Sequence, residues 1–136
     1  MRGKRLIIYT DGAAEPNPGP AGIGIVIVDE WGRVIAEISK AIGRKTNNQA
    51  EYEALIVGLE TAAGLDVEDI EVRADSQLLV RQLTGQYRVR KPGLKPLYEK
   101  VHQLLEKFHS FKIVHIPREE NRAADALSHR ALSGHC

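Results

Sequence analysis

The stretch Thr46-Asn47-Asn48-Gln49-Ala50-Glu51 decides how this chain reads. It opens a helix expected over 48–63, with apolar positions recurring at Ala54, Leu55, Gly58, Leu59 and Ala62. Glu51 stands three, four and seven residues ahead of Ala54, Leu55 and Gly58, so it heads the stripe that should face a core. A carboxylate in that position is costly to desolvate unless it is paired, hydrogen-bonded or bound to a cation. One reading is an acid in the first helical turn complementing the helix dipole. The other is a working acid where folding rules ask for an alkyl group, the kind of local violation expected at functional sites. What the flanking segments bring to the same place decides between them.

Upstream, Leu6 to Thr10 is a short apolar, β-rich run that stops at Asp11-Gly12, which reads as a buried strand with an acid at its carboxyl end. A Pro/Gly-rich loop follows, stiffened by Pro16-Asn17-Pro18-Gly19-Pro20. Strands are expected over 23–28 and 33–42, joined at the Asp29-Glu30-Trp31-Gly32 turn, so residues 5–42 form an antiparallel meander. Trp31, near the hairpin tip, reads as a packing or edge residue.

Downstream, Gly64 and Asp66 punctuate, and 68–74 alternates with Ile70, Val72 and Ala74 on one side before ending at Asp75-Ser76. A helix over 76–83 stops at Thr84-Gly85. Residues 86–93 form a basic loop, and 94–108 an amphipathic helix carried by Leu97, Val101, Leu104, Leu105 and Phe108. A last strand over 111–116, a loop over 117–120 and a closing helix to Leu132, N-capped by Asn121, complete the chain. The resulting class is α/β: a mixed sheet of three antiparallel strands, then two that can add in parallel through crossover helices, with helices on its faces.

Length and composition agree with one domain over residues 1–136, with 133–136 expected as a disordered tail. An apolar fraction of 43% and a charged fraction of 27% are those of an ordinary globular protein. No run approaches a membrane span, and residues 1–5 lead into a strand rather than a signal peptide, which points to a cytoplasmic protein. The one cysteine, Cys136, excludes a disulfide within the chain. Net charge is only +1, but its distribution is uneven: acids concentrate between Asp29 and Asp75, bases between Arg81 and Arg118. Such a block is either a solvated face or a phosphate-tracking surface beside an acidic centre.

In a mixed sheet of this kind, sites lie outside the carboxyl ends of strands where strand order reverses. Asp11 and Asp75 each end a strand, while Glu51 and Asp125 each lie one turn into a helix. Each alone is a turn or helix-start residue; four at one end of one sheet would repel unless cations compensate. An oxygen-rich set without cysteine suits a hard cation, Mg²⁺ or Mn²⁺, rather than zinc. Two such ions about 4 Å apart can clamp the attacking and leaving oxygens of a phosphoryl displacement. The sequence offers no Ser-His-Asp set, Cys-His pair or phosphate-cradling glycine loop as an alternative. His115, ten residues before Asp125, reads either as a proton shuttle or as a hydrogen-bonded strand-end histidine. His102, His109, His129 and His135 read as surface residues.

Assembled, these pieces resemble a type 1 ribonuclease H over nearly the whole chain. The matching set is Tyr9-Thr10-Asp11-Gly12, Asn17-Pro18-Gly19-Pro20, Gly22-x-Gly24, Thr46-Asn47-Asn48-x-x-Glu51, Asp75-Ser76 and Asn121-x-x-Ala124-Asp125-x-Leu127. The resemblance implies a five-stranded mixed sheet with helices on both faces and Mg²⁺-dependent hydrolysis of the RNA strand of RNA–DNA hybrids, leaving 5′-phosphate and 3′-hydroxyl ends. It assigns Asp11 to both ions, Glu51 and Asp75 to one, and Asp125 to the other, with His115 as a mobile histidine. It places Thr46 and Asn47 on DNA phosphates, and Asn17, Asn48 and Gln77 near 2′-hydroxyls, the contact that tells RNA from DNA. Base edges would go unread, so little sequence preference is expected. The segment Gly85 to Gly93 is too short for the basic protrusion of some relatives, which makes this a compact member, and no hybrid-binding domain is expected ahead of the core. Arg118 is placed to assist phosphate handling beside or instead of His115. The remaining readings are a hybrid-binding platform without turnover and a two-metal nuclease acting on double-stranded RNA or DNA junctions; in each case the expected species is a monomer.

Overall fold

The computed structural model describes residues 5–133. Strands β1 (Arg5–Ala14), β2 (Gly19–Asp29) and β3 (Val34–Lys45) form the antiparallel meander, followed by helix α1 (Asn47–Ala63) and strand β4 (Asp69–Ala74). Helices α2 (Gln77–Leu83) and α3 (Lys95–Leu105), strand β5 (Ser110–His115), a 3-10 turn over Arg118–Glu120 and helix α4 (Arg122–Ser133) complete the order. The strands lie β3-β2-β1-β4-β5, with β4 parallel to both β1 and β5. This is the expected five-stranded mixed sheet, and the order reverses between β1 and β4.

Period-two alternation sorts β1 between two helical layers. A Cβ at Gly12 would meet Ala50 of α1, and Gly58 of α1 abuts Ile8 and Thr10, so the even-numbered residues of β1 face α1. Asp11, by alternation, faces the opposite layer, where Ser128 of α4 reaches it. The main core lies between the sheet and α1, with Ile8, Ile23, Ile25, Ile27, Leu55, Leu59 and Val72 fully buried. Helix α1 carries no simple stripe: Tyr52 and Ile56 are buried along with Ala54, Leu55 and Leu59. The reason is position, since α3 packs on its outer side and α1 is sandwiched. Tyr52 satisfies its hydroxyl there by donating to Gln82 Oε1 at 2.7 Å.

Two boundaries differ from expectation in ways that matter, the ends of β1 and α4. Strand β1 does not stop at Asp11 but runs on to Ala14, paired with β2 alone. Its ladder with β4 ends at Thr10↔Ala74, so Asp11 and Asp75 are the next residues on each side of the split. Ser133, expected in a disordered tail, ends α4, and residues 134–136 lie outside the described residues. Among the described residues, no helix is long and apolar enough to cross a membrane.

Candidate active site

The site begins at that split. Where β1 and β4 part, neither backbone can close the gap, and a cleft of about 280 Å³ opens over it. Asp11, Glu51, Asp75 and Asp125 all line it, together with Asn47, Arg118 and His129. Carboxylate oxygens of Asp11, Glu51 and Asp75 lie within 4.8 Å of one another. A second set meeting the same limit is Asp11, Asp125 and His129. Asp11 belongs to both, so the cleft has two compartments sharing one acid.

Two glycines make this approach possible. A Cβ on Gly12 would sit 2.3 Å from the backbone of Ala50, the residue before Glu51, so only glycine lets the first turn of α1 settle against β1. On the other layer, Gly24 stands opposite Asp11 in the β1–β2 register. A Cβ there would lie 2.1 Å from the carbonyl oxygen of Ala124, and α4 could not bring Asp125 down to the sheet. The N-terminus of α1 is fixed by a capping box in which Thr46 Oγ1 accepts from Gln49 N at 3.1 Å and Gln49 Oε1 accepts from Thr46 N at 3.0 Å. Asn121 stands just before α4, but its side-chain Oδ1 accepts no hydrogen bond, so it is not the expected side-chain cap. Its Nδ2 donates to Thr10 O at 2.9 Å and to Asp75 Oδ2 at 2.8 Å, pinning β1, β4 and α4 at one point.

The electrostatics are those of buried, crowded acids that Arg118 offsets only in part. Burial pushes Asp11 up to about 7, against the lowering hydrogen bond from Ser128 Oγ (2.6 Å) and with added repulsion from Asp75 and Asp125. Glu51 is raised well above its ordinary value by burial first and by Asp11 and Asp75 next, more than the Gly12 N–H and Arg118 offset. Five buried side-chain polar atoms among the described residues have no hydrogen-bond partner, and four of them belong to Thr10, Glu51, Asn121 and Asp125. Such orphans are rare in a finished core. An all-carboxylate set with unpartnered oxygens at Glu51 and Asp125 fits a hard divalent cation.

The remaining residues singled out from sequence divide into two groups. Asn17, Thr46, Asn47 and Asn48 line a second cavity of about 480 Å³ with Lys91 and Gly93, and Asn47 belongs to both cavities. Asn17 Oδ1 accepts from Asn47 N (2.9 Å) and Asn47 Oδ1 from Ala14 N (2.7 Å), which leaves both amide N–H₂ groups as donors. Gln77, at the first turn of α2, is exposed and lines neither cavity. His115 ends β5 in register with Ala74, exposed and outside the lining of the cleft, whereas Arg118 is part of that lining. His129, read from sequence as a surface residue, is exposed yet lines the cleft one helical turn beyond Asp125. The signal for it was the i, i+4 spacing of Asp125 and His129.

Comparison with known proteins agrees with this architecture. Residues 9–131 match the family described as reverse transcriptase-like. The chain is 48% identical to ribonuclease HI of Halobacterium salinarum over 131 residues, which is 96% of this chain and 66% of that protein. It thus spans about two thirds of that relative's length. It is 35% identical to ribonuclease H of Desulforamulus reducens, covering 92% of this chain and 86% of the relative. The crystal structure of LC11-RNase H1 in complex with an RNA/DNA hybrid superposes with a TM-score of 0.90 at 46% identity, covering 95% of this chain and 97% of that one. By sequence and by fold, this chain belongs to the ribonuclease H family.

Proposed function

We propose that this protein is an endonuclease that hydrolyses the RNA strand of RNA–DNA hybrids, with Asp11, Glu51, Asp75 and Asp125 holding two divalent cations, Mg²⁺ or Mn²⁺. One observation carries the reading: two three-member groups of potential ligands share Asp11, directly beside a donor-lined cavity free of carboxylates. Cations bound there would activate water and neutralise charge on the leaving oxygen. The chain's own residues do the rest. Thr46 Oγ1 accepts from the helix, so its O–H remains to donate; with the N–H₂ groups of Asn17 and Asn47 and the ammonium of Lys91, it forms a cradle for one strand's phosphates. Asn47, lining both cavities, sets the spacing between that strand and the one at the acids. Asn48 and Gln77 extend the contacts toward the minor groove, where 2′-hydroxyls mark RNA.

Arg118 orients the scissile phosphate from within the cleft, and His115, at the strand end outside it, relays a proton as product leaves. His115→Ala is expected to slow turnover more than binding, and Arg118→Ala to weaken both.

The test is cleavage of a labelled hybrid with Mg²⁺, Mn²⁺ or chelator, beside matched double-stranded RNA and DNA. Asp11→Asn and Asp75→Asn should each slow hybrid cleavage at least about a hundredfold, the scale of losing one preorganised electrostatic group. Wild-type cleavage no faster than these variants would leave a binding platform, and preference for double-stranded RNA would reassign the substrate.

A further inference from the structure

His129 occupies a position that the four acids do not explain. Its Nδ1 lies 2.9 Å from the backbone oxygen of Asp125, and a carbonyl can only accept, so Nδ1 carries the proton. In the neutral ring the lone pair is then on Nε2. That nitrogen makes only a 3.7 Å approach to Glu15 Oε1, too long for a hydrogen bond. An N–H···O=C contact on one ring nitrogen is the usual way a protein fixes the tautomer of a metal-bound imidazole. Nδ1 also stands 3.4 Å from Asp125 Oδ1, but that oxygen has no hydrogen-bond partner and is buried, so the contact does not satisfy it. Among the described residues Asp125 Oδ1 has no hydrogen-bond partner, the Nε2 lone pair has no approach closer than that to Glu15, and both residues belong with the 5%-exposed Asp11 to one three-member group of potential ligands.

We infer that His129 supplies a nitrogen ligand to the divalent cation between Asp11 and Asp125, so that this compartment favours a transition-metal ion such as Mn²⁺ over Mg²⁺. The inference rests on the reading that the acids hold divalent cations. Its chemistry is donor softness: imidazole suits first-row transition metals, whereas Mg²⁺ keeps oxygen ligands and water. The Asp11–Glu51–Asp75 compartment has no such nitrogen, so the two positions of one cleft differ in preference. The competing role for His129 is that of a protonated side chain balancing Glu15 and Asp125 by charge alone.

The two separate cleanly by spectroscopy on the full chain loaded with Mn²⁺ and no substrate. Pulsed electron paramagnetic resonance should show ¹⁴N coupling from a directly bound imidazole in the wild type, lost in both His129→Ala and His129→Asn. Titration should show Mn²⁺ affinity at this position falling about tenfold or more in those variants, with Mg²⁺ affinity changing much less. Bound Mn²⁺ without nitrogen coupling, coupling that survives His129→Ala, or equal losses for both metals would overturn the assignment and leave the acids' role standing. A wild-type protein that binds neither Mn²⁺ nor Mg²⁺ would bring down both readings, and one that binds Mg²⁺ but not Mn²⁺ would overturn this assignment alone.

Discussion

The two ends of the central strands treat carboxylates in opposite ways. At the end where β1 begins, Asp29, Asp69 and Glu71 are each answered by donors of the chain. Asp29 Oδ1 accepts from Trp31 N (2.9 Å) and Arg33 N (2.8 Å), and its Oδ2 from Arg33 Nε (2.7 Å). Glu71 accepts from Arg5 at 2.8 Å and Arg73 at 2.7 Å, and Asp69 from Ser110 at 2.6 Å. Burial pushes Asp29 and Glu71 up, yet their donors and arginines prevail and hold both below the ordinary range; the Ser110 hydroxyl does the same for Asp69. At the other end, Asp11 and Glu51 are driven up, and the Arg118 guanidinium opposes the rise at Glu51 without reversing it. One sheet thus carries one set of acids completed by its own side chains and another left for something supplied from outside. The difference teaches which acids build the fold and which serve it.

The sharpest way to break that contrast is to titrate the metal-free protein. A carboxyl whose folded pKa is raised binds more protons in the native than in the unfolded chain across the window between the two values. For Asp11 that window runs from 3.8 to about 7, so metal-free stability should be greatest below it and be lost as pH rises through it. Glu51, raised in the same direction, steepens the loss. Adding Mg²⁺ at neutral pH should restore the melting temperature, because a ligand that binds only the native state stabilises it by mass action. Asp11→Asn removes the penalty directly and should stabilise the metal-free protein at pH 7 by on the order of 2 kcal/mol, while abolishing the response to Mg²⁺. Thermal melts across pH, with and without cation, check both. A flat profile would mean that the acids are already compensated.

The paired end should answer with the opposite sign. Glu71 is depressed, so its contribution is fully present above 4.5 and is lost as pH falls through its folded value. Glu71→Gln should cost about 1 kcal/mol near neutrality, a figure kept small because Arg5 and Arg73 are partly solvated, and should leave hybrid cleavage within about twofold. Urea unfolding and a cleavage assay on the same preparation separate the two ends. A large activity loss in Glu71→Gln would show that the ends are coupled.

Much of this contrast is legible in the sequence, and the rest is hidden for identifiable reasons. Asp11 and Asp75 announce themselves because apolar runs stop at them, and Glu51 because it heads a buried helix; strand order then brings them together. The glycines at 12 and 24 carry no local sign of their role, since nothing near them in sequence says that a helix backbone must lie where a side chain would start, 2.3 Å from a Cβ at 12 and 2.1 Å from one at 24. Asn121 reads as a cap because its decisive bond, to Thr10 O, spans 111 residues of chain. Thr46-x-x-Gln49 is a capping box written openly in the sequence, yet its hydroxyl can also serve a phosphate, and no local rule ranks the two uses. His129 was legible only through its helical spacing from Asp125, and spacing alone does not separate a cleft from open solvent.

The smallest expected effect tests whether the open end is tuned as well as acidic. Ser128 is fully buried, and its hydroxyl donates to Asp11, lying 2.6 Å from Oδ2 and 2.9 Å from the Asp125 carbonyl. A hydrogen bond to the charged form favours that form, so Ser128 holds Asp11 lower than burial alone would. Ser128→Ala should cost about 1 kcal/mol of stability, because a buried acceptor loses its partner. It should also move the onset of Mg²⁺ binding to higher pH, since Asp11 must lose its proton before it can act as a ligand. Calorimetric titration of Mg²⁺ at a series of pH values reads that displacement. If Ser128 were only a packing residue, stability would fall while the pH at which cation binding begins stayed where it is in the wild type. Movement of both ties the hydroxyl to the charge state of the one acid that the two compartments share.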